Sequence, residues 1–281
     1  MLLAMLTALL LPAHADPAMW VVRDADSTLY LFGTMHLGQP GASWGGAAAQ
    51  EALAAADEVW TEVELGPEAE ARMASSVIER CVDPRGRLLA GLKAEERALA
   101  GEIAERAQLP LENLRYLQPW CAGLLLSMLP YMEAGYEGAA GADTQIVAAA
   151  QAAGKGQRAL ETIDQQLDVL AAGTRRQQLA GLRYTLAHLD EGAALLAPME
   201  QAWRAGDVEG LERVALTPMR TEHPVAYDLL LTRRNAAWVE ALARELAGEG
   251  VDFVAVGALH LVGPESVVAM LRARGLEVER L

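Results

Sequence analysis

Two stretches of this chain nearly repeat each other more than two hundred residues apart: YLFGTMHLG from Tyr30 to Gly38, and VAVGALHLVG from Val254 to Gly263. Each is an apolar run, then Gly-x-x-His-Leu, then a second glycine nearby. A helical period would not stop at a glycine in this way, whereas a buried strand with a tight exit turn would. The repeat therefore predicts two neighbouring strands of one sheet, with His36 and His260 just past their ends. Open α/β folds bind their ligands at that edge.

The other elements follow from local pattern. Trp20 to Val22 and Thr28 to Phe32 flank the polar turn Asp24-Ala25-Asp26-Ser27 and predict a hairpin. Ala47 to Ala56 reads as a short helix, and Glu58 to Leu65 as a strand with Glu62 and Glu64 on one face. Residues 66–250 are mostly helical, with a further short strand at Gly156 to Leu160 that runs into Glu161. The segment from Leu117 to Met132 is strongly apolar but too short to span a bilayer, and reads as a buried helix or the wall of an apolar groove. A helix from Tyr227 to Ala247, a strand from Asp252 to Val256, a helix opened by Pro264 and a strand from Leu276 to Leu281 close the chain. This β-α-β ending favours a parallel strand pair.

With 38 acidic against 23 basic residues the formal charge is −15, and no basic cluster exists to track phosphates, so nucleic acid is not an expected partner. An apolar run from Leu2 to Leu11 precedes Ala13-His14-Ala15, an A-x-A cleavage site, although no Lys or Arg stands before the run. Residues 1–15 are therefore expected to be a signal peptide, and residues 16–281 a single domain released into the periplasm or secreted, with no stable membrane insertion. Cys81 and Cys121 could pair in such a compartment or stay as two buried thiols; spacing does not decide.

His36 and His260, brought together with Glu62 or Glu64, would form a two-histidine, one-carboxylate set suited to zinc or another divalent first-row metal. A metal there polarises a carbonyl and acidifies its bound water, so hydrolysis is the natural reaction. The bland alternative is that each histidine hydrogen-bonds the backbone at a strand end. No G-x-S-x-G elbow, P-loop or H-E-x-x-H helix occurs.

These residues resemble the TraB/GumN proteins, which include the animal Tiki proteases. The resemblance rests on GTMH (Gly33 to His36), TEVEL (Thr61 to Leu65), GAD (Gly141 to Asp143), ALET (Ala159 to Thr162), RRNAAW (Arg233 to Trp238) and VGALHLVG (Val256 to Gly263). It implies an α/β fold with a central mixed sheet, flanking helices and a large helical insertion, similar to the erythromycin-esterase and ChaN-like proteins. For the Tiki branch it also implies divalent-metal-dependent proteolysis with zinc, manganese or cobalt. Its active residues fall here on His36, His260 and, by motif position, Glu62, with Glu64 or Glu161 assisting. Arg234 and Asn235 would face the site, where a guanidinium could hold a carboxylate or an oxyanion, or would pin their helix to the sheet. A peptide is then the expected substrate, and a binding protein for a peptide or a glycan is the alternative, the glycan suggested by the GumN branch.

Overall fold

The computed structural model describes residues 16–281, so the expected signal peptide, residues 1–15, lies outside the described residues. Six strands form one sheet: β1 (Met19–Arg23), β2 (Ser27–Thr34), β3 (Glu58–Thr61), β4 (Gly156–Ala159), β5 (Gly250–Gly257) and β6 (Val278–Arg280). Their order is β4-β3-β5-β2-β1-β6. Only β1 is reversed: it is antiparallel to β2 and β6, while β2, β5, β3 and β4 are mutually parallel. The fold is therefore α/β on a mixed sheet. Asp24 turns the β1–β2 hairpin by accepting the Ser27 amide at 2.8 Å.

β2 and β5 lie at the centre because they are the most continuously apolar strands, and helices cover both faces of the sheet. They pair in parallel with Gly33 opposite Val256 and Thr34 opposite Gly257. The two Gly-x-x-His motifs thus leave adjacent strands on the same edge, one residue out of step.

Four expectations are corrected. β3 stops at Thr61, so Glu62 and Glu64 do not share a strand face. Just past it the Thr61 hydroxyl turns onto the Val63 carbonyl at 2.7 Å, and the Glu62 side chain folds toward β5. The last strand runs parallel to β5 but does not pair with it. Both flanks of β5 are already occupied, by β2 and β3, and β6 crosses to the free edge beside β1. The helix expected to open at Pro264 begins at Val267, where Ser266 caps it by accepting the Ala269 amide at 3.1 Å. The apolar segment around Leu117 to Met132 is two helices, Pro119–Ser127 and Leu129–Glu133. Pro130 has no N–H for the Leu126 carbonyl, which breaks the run. Leu126 and Leu129 are buried, Leu124, Leu125 and Met132 are exposed, and Met128, Pro130 and Tyr131 line a groove.

The helical middle carries an apolar core of its own, built around Leu88, Ile103, Leu126, Leu182 and Leu186 and separate from the core around the sheet. Elsewhere in the helical middle a disulfide joins Cys81 to Cys121, with Cα atoms 5.4 Å apart. The bond ties the helix Pro67–Cys81 to Pro119–Ser127, settling the pairing that sequence spacing left open.

Candidate functional site

The polar cluster is assembled where β2, β3 and β5 end. Glu62, the first residue past β3, is buried, and its Oε1 accepts the Gly257 amide at 2.8 Å. The same oxygen lies 3.7 Å from His36 Nε2 and 3.7 Å from His260 Nε2. Each imidazole is aimed by its other nitrogen. His36 Nδ1 lies 3.0 Å from Asp143 Oδ2, and His260 Nδ1 lies 2.6 Å from Asn235 Oδ1.

Arg234 joins the carboxylates. A π-helical turn, Asp228–Thr232, leads into the helix Arg233–Leu246 and sets its first residues against the strand ends. All five guanidinium N–H groups are committed. Nε and Nη2 form a fork to Glu161 at 3.0 and 2.7 Å, and Nη2 also donates to Glu62 Oε2 at 2.6 Å. Nη1 donates to the Leu230 carbonyl at 3.0 Å and to His260 Nε2 at 3.1 Å. Because Arg234 donates to Nε2, His260 carries its proton on Nδ1, which donates to Asn235; Asn235 Nδ2 in turn donates to the Glu265 carbonyl at 2.7 Å.

These contacts fix the charges. For His36, the partial loss of water around the ring within the cluster opposes ionisation, but the Asp143 hydrogen bond and the Glu62 and Asp143 charges outweigh it and raise the imidazole from 6.5 to about 9. For Glu62, burial is overcome by His260, His36 and Arg234 and by the Gly257 hydrogen bond, which bring the carboxyl down from 4.5 to about 2. Burial, with the Arg234 and His36 charges, pushes His260 down to about 3 against the pull of Glu62. His260 is therefore neutral at ordinary pH, and the charges that hold Glu62 ionised there are His36 and Arg234.

Of the residues singled out from sequence, His36, Glu62, His260, Arg234, Asn235 and Glu161 come together, and Glu64 does not. The Glu64 side chain is 59% exposed and pairs with Arg72 on the surface. Glu161 is buried against Arg234 and touches neither histidine in the ion pairs it makes. Arg234 holds the protein's own carboxylates and has no N–H left for a substrate oxyanion. Asp143 was legible only as part of Gly-Ala-Asp, with no role attached. A Cβ on Gly141 would lie 2.2 Å from the His36 carbonyl oxygen, so only glycine lets this turn approach closely enough to present Asp143.

Donor types and orientations fit a divalent ion held by His36, Glu62 and His260. Both Nε2 atoms face Glu62 Oε1 with Nδ1 anchored, as ligating histidines are. Donors on one tetrahedral ion sit about 3.4 Å apart for bonds of about 2.1 Å. A Cβ on Gly257 would lie 3.1 Å from Glu62 Oε1 and 3.3 Å from His36 Nε2, so glycine keeps the space between the ligands clear. Asp143 Oδ1 and Thr34 Oγ1, both buried here, have no hydrogen-bond partner. Arg234 would have to release His260 Nε2, and the three donors, which do not all lie within 4.8 Å of one another, would have to draw closer. Among the described residues, the trio of donors within 4.8 Å of one another is Glu58, Glu245 and Asp252. It lies at the opposite end of the sheet, where Arg158 already pairs with Glu58 and Glu245.

Above the cluster opens a pocket of about 560 Å³ whose floor includes His36, Arg234, Gly257 and His260 and whose walls are chiefly apolar. It lies at the seam between the two cores, with Leu189 from the helical core and Leu231 from the sheet core both lining it.

Residues 18–280 match the sequence profile of the TraB/PrgY/gumN family. Similar relatives include an uncharacterized protein of Treponema pallidum (strain Nichols), 24% identical over 94% of this chain and 82% of its own length. The uncharacterized protein YbaP of Escherichia coli (strain K12) is 30% identical over 70% of this chain and 76% of its own, as is YbaP of Shigella flexneri. No solved structure matches significantly, and the narrower likeness to erythromycin-esterase and ChaN-like folds finds no support there. The profile spans all six strands and every residue of the polar cluster, and on that basis the chain belongs to the TraB/PrgY/gumN family.

Proposed function

We propose that this protein is an exported metal-dependent hydrolase that cuts peptides, with His36, Glu62 and His260 holding a zinc, manganese or cobalt ion. The observation that carries the reading is the placement of two anchored Nε2 atoms, each 3.7 Å from one Glu62 oxygen, on the floor of a pocket large enough for a ligand. When bound, the ion supplies a polarised carbonyl and a water acidic enough to attack at neutral pH. The chain's own residues set the geometry. Asp143 and Asn235 fix the imidazoles, Arg234 and the Gly257 amide fix Glu62, and Glu161 fixes Arg234. Glu62, with a carboxyl near 2, stays ionised and serves as a ligand rather than a base. The signal-peptide-like segment 1–15 and the Cys81–Cys121 disulfide both favour an oxidising compartment outside the cytoplasm. Among the described residues no helix is long and apolar enough to cross a membrane.

The test is metal content by mass spectrometry on protein purified without chelator or a metal-binding tag, for wild type, His36→Ala and His260→Ala, followed by a peptide-library cleavage screen. Near-stoichiometric metal in the wild type that both variants lose, with metal-dependent cleavage, is the expected result. The Arg234 hydrogen bond on His260 Nε2 favours a second reading, a binding protein for a peptide or glycan without metal. Ligand capture with no metal after reloading would select it.

A further inference from the structure

The pocket is two-sided in chemistry. Its charged groups gather on the floor, while its walls carry four methionines, Met35, Met128, Met199 and Met219, together with Tyr131 and Leu230. These wall residues are only partly buried: Met35, Met219 and Leu230 pack on one side against the sheet core, and the rest of their apolar surface is left open to the pocket. Methionine is unbranched and polarizable and adapts to occupants of different shape. A volume of about 560 Å³ falls within the range of sites that enclose a small ligand, about 300–1,000 Å³. Saccharides need polar partners along their length; the lining offers them at Ser127, Tyr131, Tyr184, Thr185 and His188, but the larger part of its surface is apolar.

From this distribution we propose that the walls form a subsite for a large apolar side chain, Leu, Met or Phe, of a peptide whose neighbouring bond lies over His36. That the bound peptide is cut rests on the hydrolase reading; that it binds does not. A simple acyl chain would fill the walls equally well, yet it brings no amide to the floor. A peptide places apolar side chain and polar backbone side by side, as the walls and floor are placed. The wall is shared between both layers of the molecule: Met35 follows β2, Met128 joins the two helices of the apolar segment, and Met219 belongs to the helix Thr217–Glu222.

The experiment measures binding by fluorescence polarisation to the full mature chain, without added metal. The probes are a dansyl tetrapeptide amide containing Leu and Phe, its Ser and Asp counterpart, dansyl-undecanoic acid and a labelled maltotetraose. The variants are Met128→Gln, Met219→Gln and the conservative Met219→Leu, each checked by circular dichroism and for metal content after reloading. We expect the apolar peptide to bind at least tenfold more tightly than the polar peptide and the saccharide. Each Gln variant should weaken it severalfold at unchanged metal content, and Met219→Leu should retain it. Equal affinity for the two peptides, or tighter binding of the saccharide or the fatty acid than of the apolar peptide, overturns the subsite. Cleavage without apolar preference overturns it alone and leaves the hydrolase standing. Apolar-selective binding without metal or turnover supports it and removes the hydrolase.

Discussion

His36 and His260 occupy the same place in nearly the same motif, yet their surroundings are opposite. The His36 side chain is 57% exposed, sits beside two carboxylates and is held toward the charged form. The His260 side chain is 6% exposed, packs with its ring centroid 4.3 Å from that of Trp238, accepts from Arg234 and is held neutral. The repeated backbone delivers an imidazole to the strand edge, and the neighbours decide what that imidazole is. Of the two anchored imidazoles on the pocket floor, one is thus sealed into the protein and the other stands open to solvent.

The largest effect should come from removing the group that ties the buried half together. Arg234→Leu leaves Glu161 as a buried carboxylate without its cation and Glu62 with His36 as its remaining one, and should cost about 3–5 kcal/mol in chemical denaturation. A loss under about 1 kcal/mol would mean that the cluster relaxes into water and that its burial is not structural. Next, His260→Ala should cost about 2–4 kcal/mol, because it opens a cavity against Trp238 and strands the Asn235 oxygen. His36→Ala removes an exposed ring and a solvent-screened charge beside Glu62 and Asp143, so it should cost less than His260→Ala, about 1 kcal/mol near pH 7, while abolishing metal binding as completely. Equal stability losses in the two variants would break the comparison.

The first glycines of the motifs sharpen it. On Gly33 a Cβ would meet the Ala258 backbone at 3.0 Å, so Gly33→Ala should destabilise by about 1–3 kcal/mol. On Gly257 the Cβ would point at Glu62 and His36, so Gly257→Ala should weaken metal binding at least tenfold with a smaller change in unfolding. A reversed pattern in calorimetry and metal titration would reassign the two glycines. The smallest effect is local. Asp143→Asn removes the charge beside His36 and should lower its pKa from about 9 toward 6.5, read by histidine NMR on the metal-free protein. By linkage, a raised histidine stabilises the fold fully below about pH 6.5, and this contribution fades as pH rises through about 9. The stability difference between wild type and Asp143→Asn should therefore be largest near pH 6.5 and vanish above about pH 9. A His36 pKa unmoved by the substitution would show that Glu62 alone raises it.

What the sequence determined by itself was whatever depends on neighbours along the chain. Apolar runs ending at glycine specified β2 and β5, and the two Gly-x-x-His motifs specified histidines at their ends, because strand formation and exit turns are local events. The spread of family blocks carried Glu62, Glu161, Arg234 and Asn235 to the same neighbourhood. What only the tertiary structure decided was which partner each group meets. Glu62 and Glu64 are two residues apart and equally acidic in sequence. One folds back onto the β5 amide and Arg234 while the other reaches solvent and Arg72, because β3 ends at Thr61, before either of them, and leaves no strand face for them to share. Asp143 gained its role from a turn that approaches His36 across more than a hundred residues. Likewise the path of β6 followed from the occupied flanks of β5, and the disulfide from the close approach of the helices Pro67–Cys81 and Pro119–Ser127. Partner choice depends on distances set by packing, and spacing along a chain does not contain them.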